Sequence, residues 1–225
     1  PGPYERISLV AHYIKNNKPN SKIIVLDQKD KFSKQALFSN GWKELYGDLI
    51  DWRAAQFGGK VVSVDPVKKI VVTEDEELKA DVLNYIPNQK ASQLAFDSGL
   101  VADGKDWCDI HPKTFESKLV KNVHVIGDAS NAAPMPKSAF SASTQGKVVA
   151  LQIARMLKQQ EPLNPPKLAN TCYSLLSPNY GISIAAVYNA LDDKIQNVDG
   201  AGGVSPETDP DGHIRILEAK YAYAW

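Results

Sequence analysis

A short apolar segment followed by a long helix most strongly constrains how this chain folds. The run Val123–Ile126 predicts a buried strand that ends at Gly127 and Asp128, and a helical pattern extends from Lys137 to Lys158. Glycine lets a ligand approach the backbone, and α/β folds bind ligands at the carboxyl edge of the sheet. The pattern therefore predicts a nucleotide-cofactor site at Gly127 and Asp128, although a strand followed by an ordinary Asx turn is the alternative.

The start of that helix has features suited to a flavin. Pro134 and Pro136 precede the first turn, and the small residues Ser138 and Ala139 leave room for a ring to approach the backbone. A helix N-terminus favours partial negative charge, such as reduced flavin carries at its pyrimidine end. Lys137 would add a full positive charge there, unless it is simply an exposed lysine.

The remaining pattern predicts an α/β protein in three pieces. Residues 1–87 form a Rossmann-type domain without its first strand, 88–165 a second α/β piece, and 166–225 a small α+β domain after a proline-rich linker at 161–166. Further helices are predicted at 5–15, 32–46 and 91–96, with Gly41 a weak point in the second of them. Strands are predicted at 21–27, 80–86, 172–176, 182–188 and 214–217, with a hairpin at 60–73 and a surface turn region at 199–211.

Composition excludes several classes of function. Lys and Arg together number 26, as do Asp and Glu, so the net charge is zero and nucleic acid is a poor candidate partner. No apolar run reaches the length of about 18 residues that a transmembrane helix needs. The chain does not begin with Met, and we expect it to be cut from something longer.

The N-terminal segment argues against a nicotinamide site. Pro1-Gly2-Pro3 occupies the place of a dinucleotide-binding loop, and its two prolines remove backbone donors that such a loop needs. Asp27, at the end of the next strand, is then predicted to be a solvated strand-end carboxylate rather than a ribose ligand.

Two cysteines are too few for a disulfide scaffold. Cys172 begins an apolar strand, where a buried inert thiol is the usual case. A redox role would require a partner thiol or an adjacent flavin. Cys108 is one candidate partner, and the spacing leaves the pairing open.

Several segments resemble one family in the same order along essentially the whole chain. They are Pro1–Arg6, Val123–Asp128, Pro134–Ser138 with Gln145–Lys147, Asn170–Ser174 and Tyr180–Ser183. The family is the flavoprotein subunit of flavocytochrome c sulfide dehydrogenase, in the flavin disulfide reductase superfamily. The resemblance implies partial glutathione-reductase-like domains: an NAD-like domain, the returning segment of the FAD domain and a C-terminal interface domain. It also implies that the first FAD segment, with covalently attached FAD, is missing.

The resemblance further implies a chemistry and a set of site residues. Sulfide would be oxidised at a redox disulfide beside FAD, and electrons would pass to a c-type cytochrome subunit carrying haem c, in the periplasm. Cys172 would be one half of that disulfide, with its partner just upstream of Pro1. Glu5 would handle protons, unless it only stabilises the helix N-terminus. Asp128 would hold the ribityl chain, and Trp225 would lie between flavin and haem.

Two other interpretations remain open. One is a sulfide:quinone-type or NAD(P)H-dependent flavin disulfide oxidoreductase, although the missing glycine loop disfavours NAD(P)H. The other is a non-catalytic fragment that docks a cytochrome.

Overall fold

A computed structural model describes residues 2–224, which divide into two compact units. The first unit contains the chain up to Ile86, Tyr173–Ser183 and the chain from Ser205 onwards. The second unit contains Pro87–Cys172 and Ile184–Val204. No helix within residues 2–224 is long and apolar enough to cross a membrane. The boundaries predicted for the three pieces stay predictions.

The helices of the structure follow the predicted periodicity, with one exception. They are α1 (Gly2–Asn17), α2 (Gln35–Tyr46), α3 (Gln93–Asp97), α4 (Ala139–Leu157) and α5 (His213–Ala224). Helix α5 replaces the strand predicted at 214–217, which is wrong. Its buried residues are Arg215, Glu218 and Ala219, spaced as one helical face, whereas Ile216 and Leu217 are exposed. Polar residues therefore form most of the buried face of α5. The apolar run that predicted a strand at 214–217 is largely exposed on this helix.

A βαβ unit lies at the start of the first unit. Strands β1 (Ile23–Leu26) and β2 (Ile50–Arg53) pair in parallel, and α2 connects them. Strand β1 was predicted, whereas β2 was missed because Asp51 and Arg53 interrupt its apolar pattern. A parallel pair joined through a helix is the repeating element of α/β folds.

The next three strands form an antiparallel sheet. Strands β3 (Val61–Asp65) and β4 (Ile70–Thr73) confirm the predicted hairpin, and β5 (Glu77–Lys79) adds to β4. The buried strand predicted at 80–86 is wrong. Lys79 already pairs with Ile70, the first residue of β4, so the chain beyond it has passed the end of its partner strand. Accordingly Val82 is 85% exposed.

An aromatic cluster forms the core of the first unit. Tyr4 stacks on Phe32 with ring centroids 3.7 Å apart, and Phe38 and Trp42 pack around the pair. A Cβ added at Gly41 would overlap the side chain of the fully buried Leu176. Gly41 therefore lets α2 pack closely in this core, which explains a glycine at the predicted weak point of the helix.

A three-stranded sheet contributes residues to both units. Its order is β6 (Lys167–Ser177), β7 (Tyr180–Ala190) and β8 (Ile195–Val204), and β7 pairs antiparallel with β8. Residues 199–204 were predicted as a surface turn but belong to β8, so that part of the prediction is wrong. Gly202 faces the carbonyl oxygen of Ala185 too closely to admit a Cβ, so glycine permits the strand here.

The Val123–Ile126 segment is not a strand. His124 forms one isolated bridge with Glu116, and Gly127–Ala129 is a turn of 3-10 helix. The left-handed backbone of Phe115 and Asn122 bends the chain on both sides of the bridge, which prevents a longer ladder. Val125 is nevertheless buried in the core of the second unit. The segment therefore anchors the turn that follows it without joining a sheet.

Candidate functional site at the start of helix α4

A cleft of about 160 Å³ opens where α4 begins, entirely within the second unit. Among the residues that line it are Trp107, Gly127, Lys137, Ser138, Ser141 and Gln145. Its volume is below the ~300 Å³ at which pockets for whole small molecules begin, so it would admit part of a larger ligand. Three residues predicted to bind a cofactor, Gly127, Lys137 and Ser138, meet here.

Gln145 fixes the shape of the cleft. Its Oε1 accepts a hydrogen bond of 2.7 Å from the backbone N–H of Gly127, and its Nε2 lies 3.7 Å from Met135 Sδ. Gly127 has φ of 68°, and a Cβ there would lie 3.3 Å from that of Ala142. Glycine thus permits both the left-handed turn and its close approach to α4. Sequence reasoning did not give Gln145 this role, because its partner is remote in sequence.

Replacing Gln145 with leucine should loosen the turn at Gly127. The substitution keeps the side-chain length but leaves the Gly127 N–H without its acceptor, at a cost of about 1–3 kcal/mol. We expect a lower free energy of unfolding and a lower flavin-to-protein ratio in the purified flavoprotein. Gln196→Leu, at an exposed position of β8, is the control. Equal flavin content and stability in the two variants would contradict this role.

Lys137 lies at the edge of the cleft and is held by main-chain oxygens. Its Nζ donates to the carbonyls of Asp128 (2.5 Å) and Ser130 (2.9 Å) and lies 3.7 Å from the ring centroid of Trp107. Burial lowers the pKa of this amine, and the Asp128 carboxylate opposes that shift. These contacts place a positive charge beside the cleft, and the flavin-binding role of Lys137 stays a prediction. Trp107, which contributes the aromatic face, was not predicted as a site residue.

Asp128 and Ala139 are exposed next to the cleft. The Asp128 carboxylate has no hydrogen-bond partner within residues 2–224, so its oxygens can accept from ligand hydroxyls. Ala139 begins α4, directly after Ser138, whose Oγ caps the helix by accepting from Ser141 N at 3.0 Å. The ribityl role of Asp128 stays a prediction.

Asn170 joins the start of α4 to Cys172. Its Oδ1 accepts from Ser138 Oγ at 2.6 Å and from Ser141 Oγ at 3.0 Å, and its Nδ2 lies 3.4 Å from Cys172 Sγ. Asn170 is only 2% exposed, whereas Cys172 is partly exposed. The structure therefore brings the predicted catalytic sulfur and the predicted cofactor residue Ser138 together through one amide.

Both cysteines are free thiols. Cys108 is fully buried, and burial raises the pKa of its thiol, with the charge of Asp109 acting in the same direction and that of Lys137 opposing. A thiol in these surroundings stays protonated at neutral pH and is chemically inert. The exposure of Cys172 makes it the better candidate for redox chemistry.

The other two predicted site residues are Glu5, which does not line the cleft, and Trp225. Glu5 belongs to the first unit, where its carboxylate accepts a 2.7 Å hydrogen bond from the backbone N–H of Leu175. It thus ties α1 to β6, and its proton-handling role stays a prediction. Trp225 lies outside the described residues. In the part of the chain from 2 to 224, no group of His, Cys, Asp or Glu side chains is arranged to hold a metal.

Asp27 is buried, which corrects the expectation of a solvated carboxylate. Its Oδ2 accepts from Tyr4 OH at 2.7 Å and from Trp52 Nε1 at 3.2 Å, while Oδ1 accepts from Lys29 N at 3.0 Å. Sequence reasoning missed this because the donors come from α1 and β2, far from Asp27 along the chain. The carboxylate that would accept from a ribose in a nicotinamide site therefore already accepts three hydrogen bonds within the first unit.

Tyr4→Phe should therefore weaken the first unit. Loss of a hydrogen bond to a buried carboxylate costs about 1.5–3 kcal/mol. Burial is the main cause that raises the pKa of Tyr4, and the hydrogen bond to Asp27 adds to it. Because the folded state binds the phenolic proton more tightly, this stabilisation is complete below about pH 10 and is lost as pH rises towards the folded-state pKa.

Urea unfolding of the native protein and the variant from pH 7 to 11 measures this effect. The stability difference should be largest at neutral pH and shrink above about pH 10. Tyr13→Phe, at an exposed tyrosine of α1, is the control. A difference that stays constant or grows above pH 10 would contradict the assignment.

Comparison with known families matches two segments of the chain. Residues 1–87 match the model described as sulfide dehydrogenase (flavocytochrome c) flavoprotein chain, central. Residues 164–225 match the model described as flavocytochrome c sulphide dehydrogenase, flavin-binding. The chain belongs to the flavoprotein family of flavocytochrome c sulfide dehydrogenase. The two matches confirm the resemblance at the level of the family. This family consists of flavin-binding oxidoreductases with a cytochrome partner.

Within this family assignment, the site residues divide between the matched segments and the region between them. Glu5 lies in the central match, and Asn170 and Cys172 lie in the flavin-binding match. The cleft residues from Trp107 to Gln145 lie between the two. The hydrogen bonds of Asn170 therefore connect the flavin-binding match to the cleft.

Proposed function

We propose that this chain is part of an FAD-dependent sulfide dehydrogenase that oxidises sulfide at a disulfide containing Cys172 and passes the electrons to a c-type cytochrome subunit. The observation that carries the proposal is the Asn170 amide, which links Cys172 to Ser138 and Ser141 at the start of α4. A sulfur held beside a candidate flavin site is the arrangement that disulfide-to-flavin electron transfer requires.

The cleft residues suit one edge of a flavin. Gly127 leaves the backbone open, Asp128 offers carboxylate oxygens to ribityl hydroxyls, and Lys137 adds positive charge near the N-terminus of α4. When bound, the flavin supplies a two-electron acceptor that can release electrons singly to a haem. We also propose that the N-terminal domain is of the Rossmann type found in glutathione reductase, which the parallel β1–α2–β2 unit supports.

The sulfur chemistry follows the rules of thiol–disulfide exchange. Hydrosulfide attacks one sulfur of the disulfide, a new S–S bond forms, the old one breaks, and the other cysteine leaves as a thiolate. The second cysteine is the one that the family resemblance places just before Pro1. Proton handling by Glu5 is proposed from the resemblance alone. We propose a periplasmic location and covalent attachment of FAD, both from the resemblance.

A nicotinamide-dependent reductase is the less favoured function. The Asp27 carboxylate, which would accept from a ribose in a nicotinamide site, is buried and accepts hydrogen bonds from Tyr4, Trp52 and the Lys29 backbone. A quinone-linked reductase would differ from the proposal in its electron acceptor. A non-catalytic fragment that docks a cytochrome would differ in having no turnover.

Steady-state assays of the intact flavoprotein with its cytochrome subunit test the proposal. With sulfide as donor, we expect reduction of the haem, and no comparable rate with NADH or NADPH. A water-soluble quinone added in place of the cytochrome distinguishes the quinone-linked alternative. Turnover with quinone alone, or no turnover with any acceptor, would contradict the proposal.

A further inference from the structure

We propose that Asn170 is a positioning residue that holds the sulfur of Cys172 and stabilises its thiolate through the side-chain N–H. The inference rests on the proposed function, because it concerns the sulfur that leaves when the disulfide is opened. The Asn170 side chain itself contributes no reacting atom.

The direction of the amide is set by its neighbours. The hydroxyls of Ser138 and Ser141 both lie within hydrogen-bond distance of Asn170 Oδ1, at 2.6 and 3.0 Å. Ser138 also caps α4, and Ser141 lies in its first turn and is 1% exposed, so the start of the helix positions both hydroxyls. Two hydroxyl donors identify this atom as the amide oxygen, and the amide lies with Nδ2 3.4 Å and Oδ1 3.5 Å from Cys172 Sγ.

The contacts with sulfur serve both protonation states of Cys172. The thiol can donate to Asn170 Oδ1 at 3.5 Å, and Nδ2 can donate to the sulfur at 3.4 Å. After deprotonation only the second contact remains, and hydrogen bonds to a charged acceptor are stronger than neutral ones. The Nδ2–H group is therefore the contact that would hold the thiolate in place relative to the start of α4.

The groups named here around Cys172 do not change charge in the pH range where a thiol titrates, so a change in the alkylation of Cys172 can be measured. Helix α4 presents the neutral hydroxyls of Ser138 and Ser141 to the amide. From β7, Tyr188 is the titratable group that senses the charge of Cys172. Burial is the main cause that raises its pKa, and the Cys172 charge adds to that. Tyr188 therefore stays neutral below about pH 10, where a thiol titrates.

The test measures alkylation of Cys172 against pH in the intact flavoprotein after reduction with a phosphine. Iodoacetamide labelling is followed by peptide mass spectrometry, which separates Cys172 from every other cysteine. Asn170→Asp keeps the shape but replaces the donor with a negative charge, and Asn170→Ala removes the amide. Asn88→Asp, at an exposed position in the same unit, is the matched control.

We expect Asn170→Asp to raise the pH midpoint of alkylation by about one unit, a roughly tenfold loss of rate at neutral pH. Asn170→Ala should raise it by about half a unit, and the control should leave it unchanged. An unchanged midpoint in folded Asn170→Ala would overturn the proposal whatever Asn170→Asp does, because a carboxylate introduced beside the sulfur raises its pKa by charge repulsion alone. Flavin reduction by sulfide in the unmodified protein tests the proposed function separately.

Discussion

Cys172→Ser should abolish sulfide-dependent reduction of the cytochrome, with a loss of at least ~10³-fold in kcat/KM, or about 4 kcal/mol of transition-state stabilisation. Serine cannot form the disulfide or leave as a thiolate, so no slower version of the same exchange remains. Because Cys172 is partly exposed and its sulfur makes only weak contacts, folding should be preserved. The flavin-to-protein ratio should therefore stay close to that of the unmodified protein.

Cys108→Ala is the matched control for this result. Cys108 is the other cysteine of the chain and is fully buried, so its loss should affect stability rather than turnover. If Cys172→Ser kept full sulfide turnover, or if Cys108→Ala removed it in a folded protein, the assignment of the redox sulfur would be wrong.

Gly181→Ala should strongly destabilise the first unit. A Cβ at this position would lie 2.5 Å from the carbonyl carbon of Glu218 and 2.9 Å from Ala219 Cα, so it meets backbone rather than a side chain that could move. Helix α5 would have to shift, which would disturb the hydrogen bonds from Ser183 and Ser205 to the buried Glu218 carboxylate. We expect a loss of about 3 kcal/mol or more in the free energy of unfolding.

Gly203→Ala provides the comparison, because a Cβ there meets no atom within 4 Å. Thermal and urea unfolding should show the whole loss of unfolding free energy in Gly181→Ala. The stability of Gly203→Ala should be close to that of the unmodified protein. Equal stability of the two variants would show that α5 does not pack on Gly181 in this way.

Periodicity in the sequence located the helices and several strands of this protein correctly. The predictions for α1, α2, α4 and the β3–β4 hairpin succeeded because apolar spacing within each segment determines these elements. The prediction for helix α5 failed because its buried face carries Arg215 and Glu218, whose side-chain hydrogen-bond partners lie outside the helix, so the segment shows no apolar face in the sequence.

The candidate site shows a similar division. Gly127, Lys137 and Ser138 were predicted from local features, namely a glycine after an apolar run and a proline-braced helix start. The roles of Gln145 and Asn170 were missed because the partners Gly127, Ser138 and Ser141 that orient these amides are distant in sequence. The Cys172 prediction came from the family resemblance, because the spacing of the two cysteines left their pairing open.

Anaerobic addition of sulfide to the intact flavoprotein tests the central claim most directly. If Cys172 belongs to a disulfide that accepts electrons from sulfide beside the flavin, the oxidised flavin absorbance should bleach with about one sulfide per flavin, and NADH should have no such effect. A flavin that stays oxidised in excess sulfide, or that bleaches with NADH instead, would contradict the account.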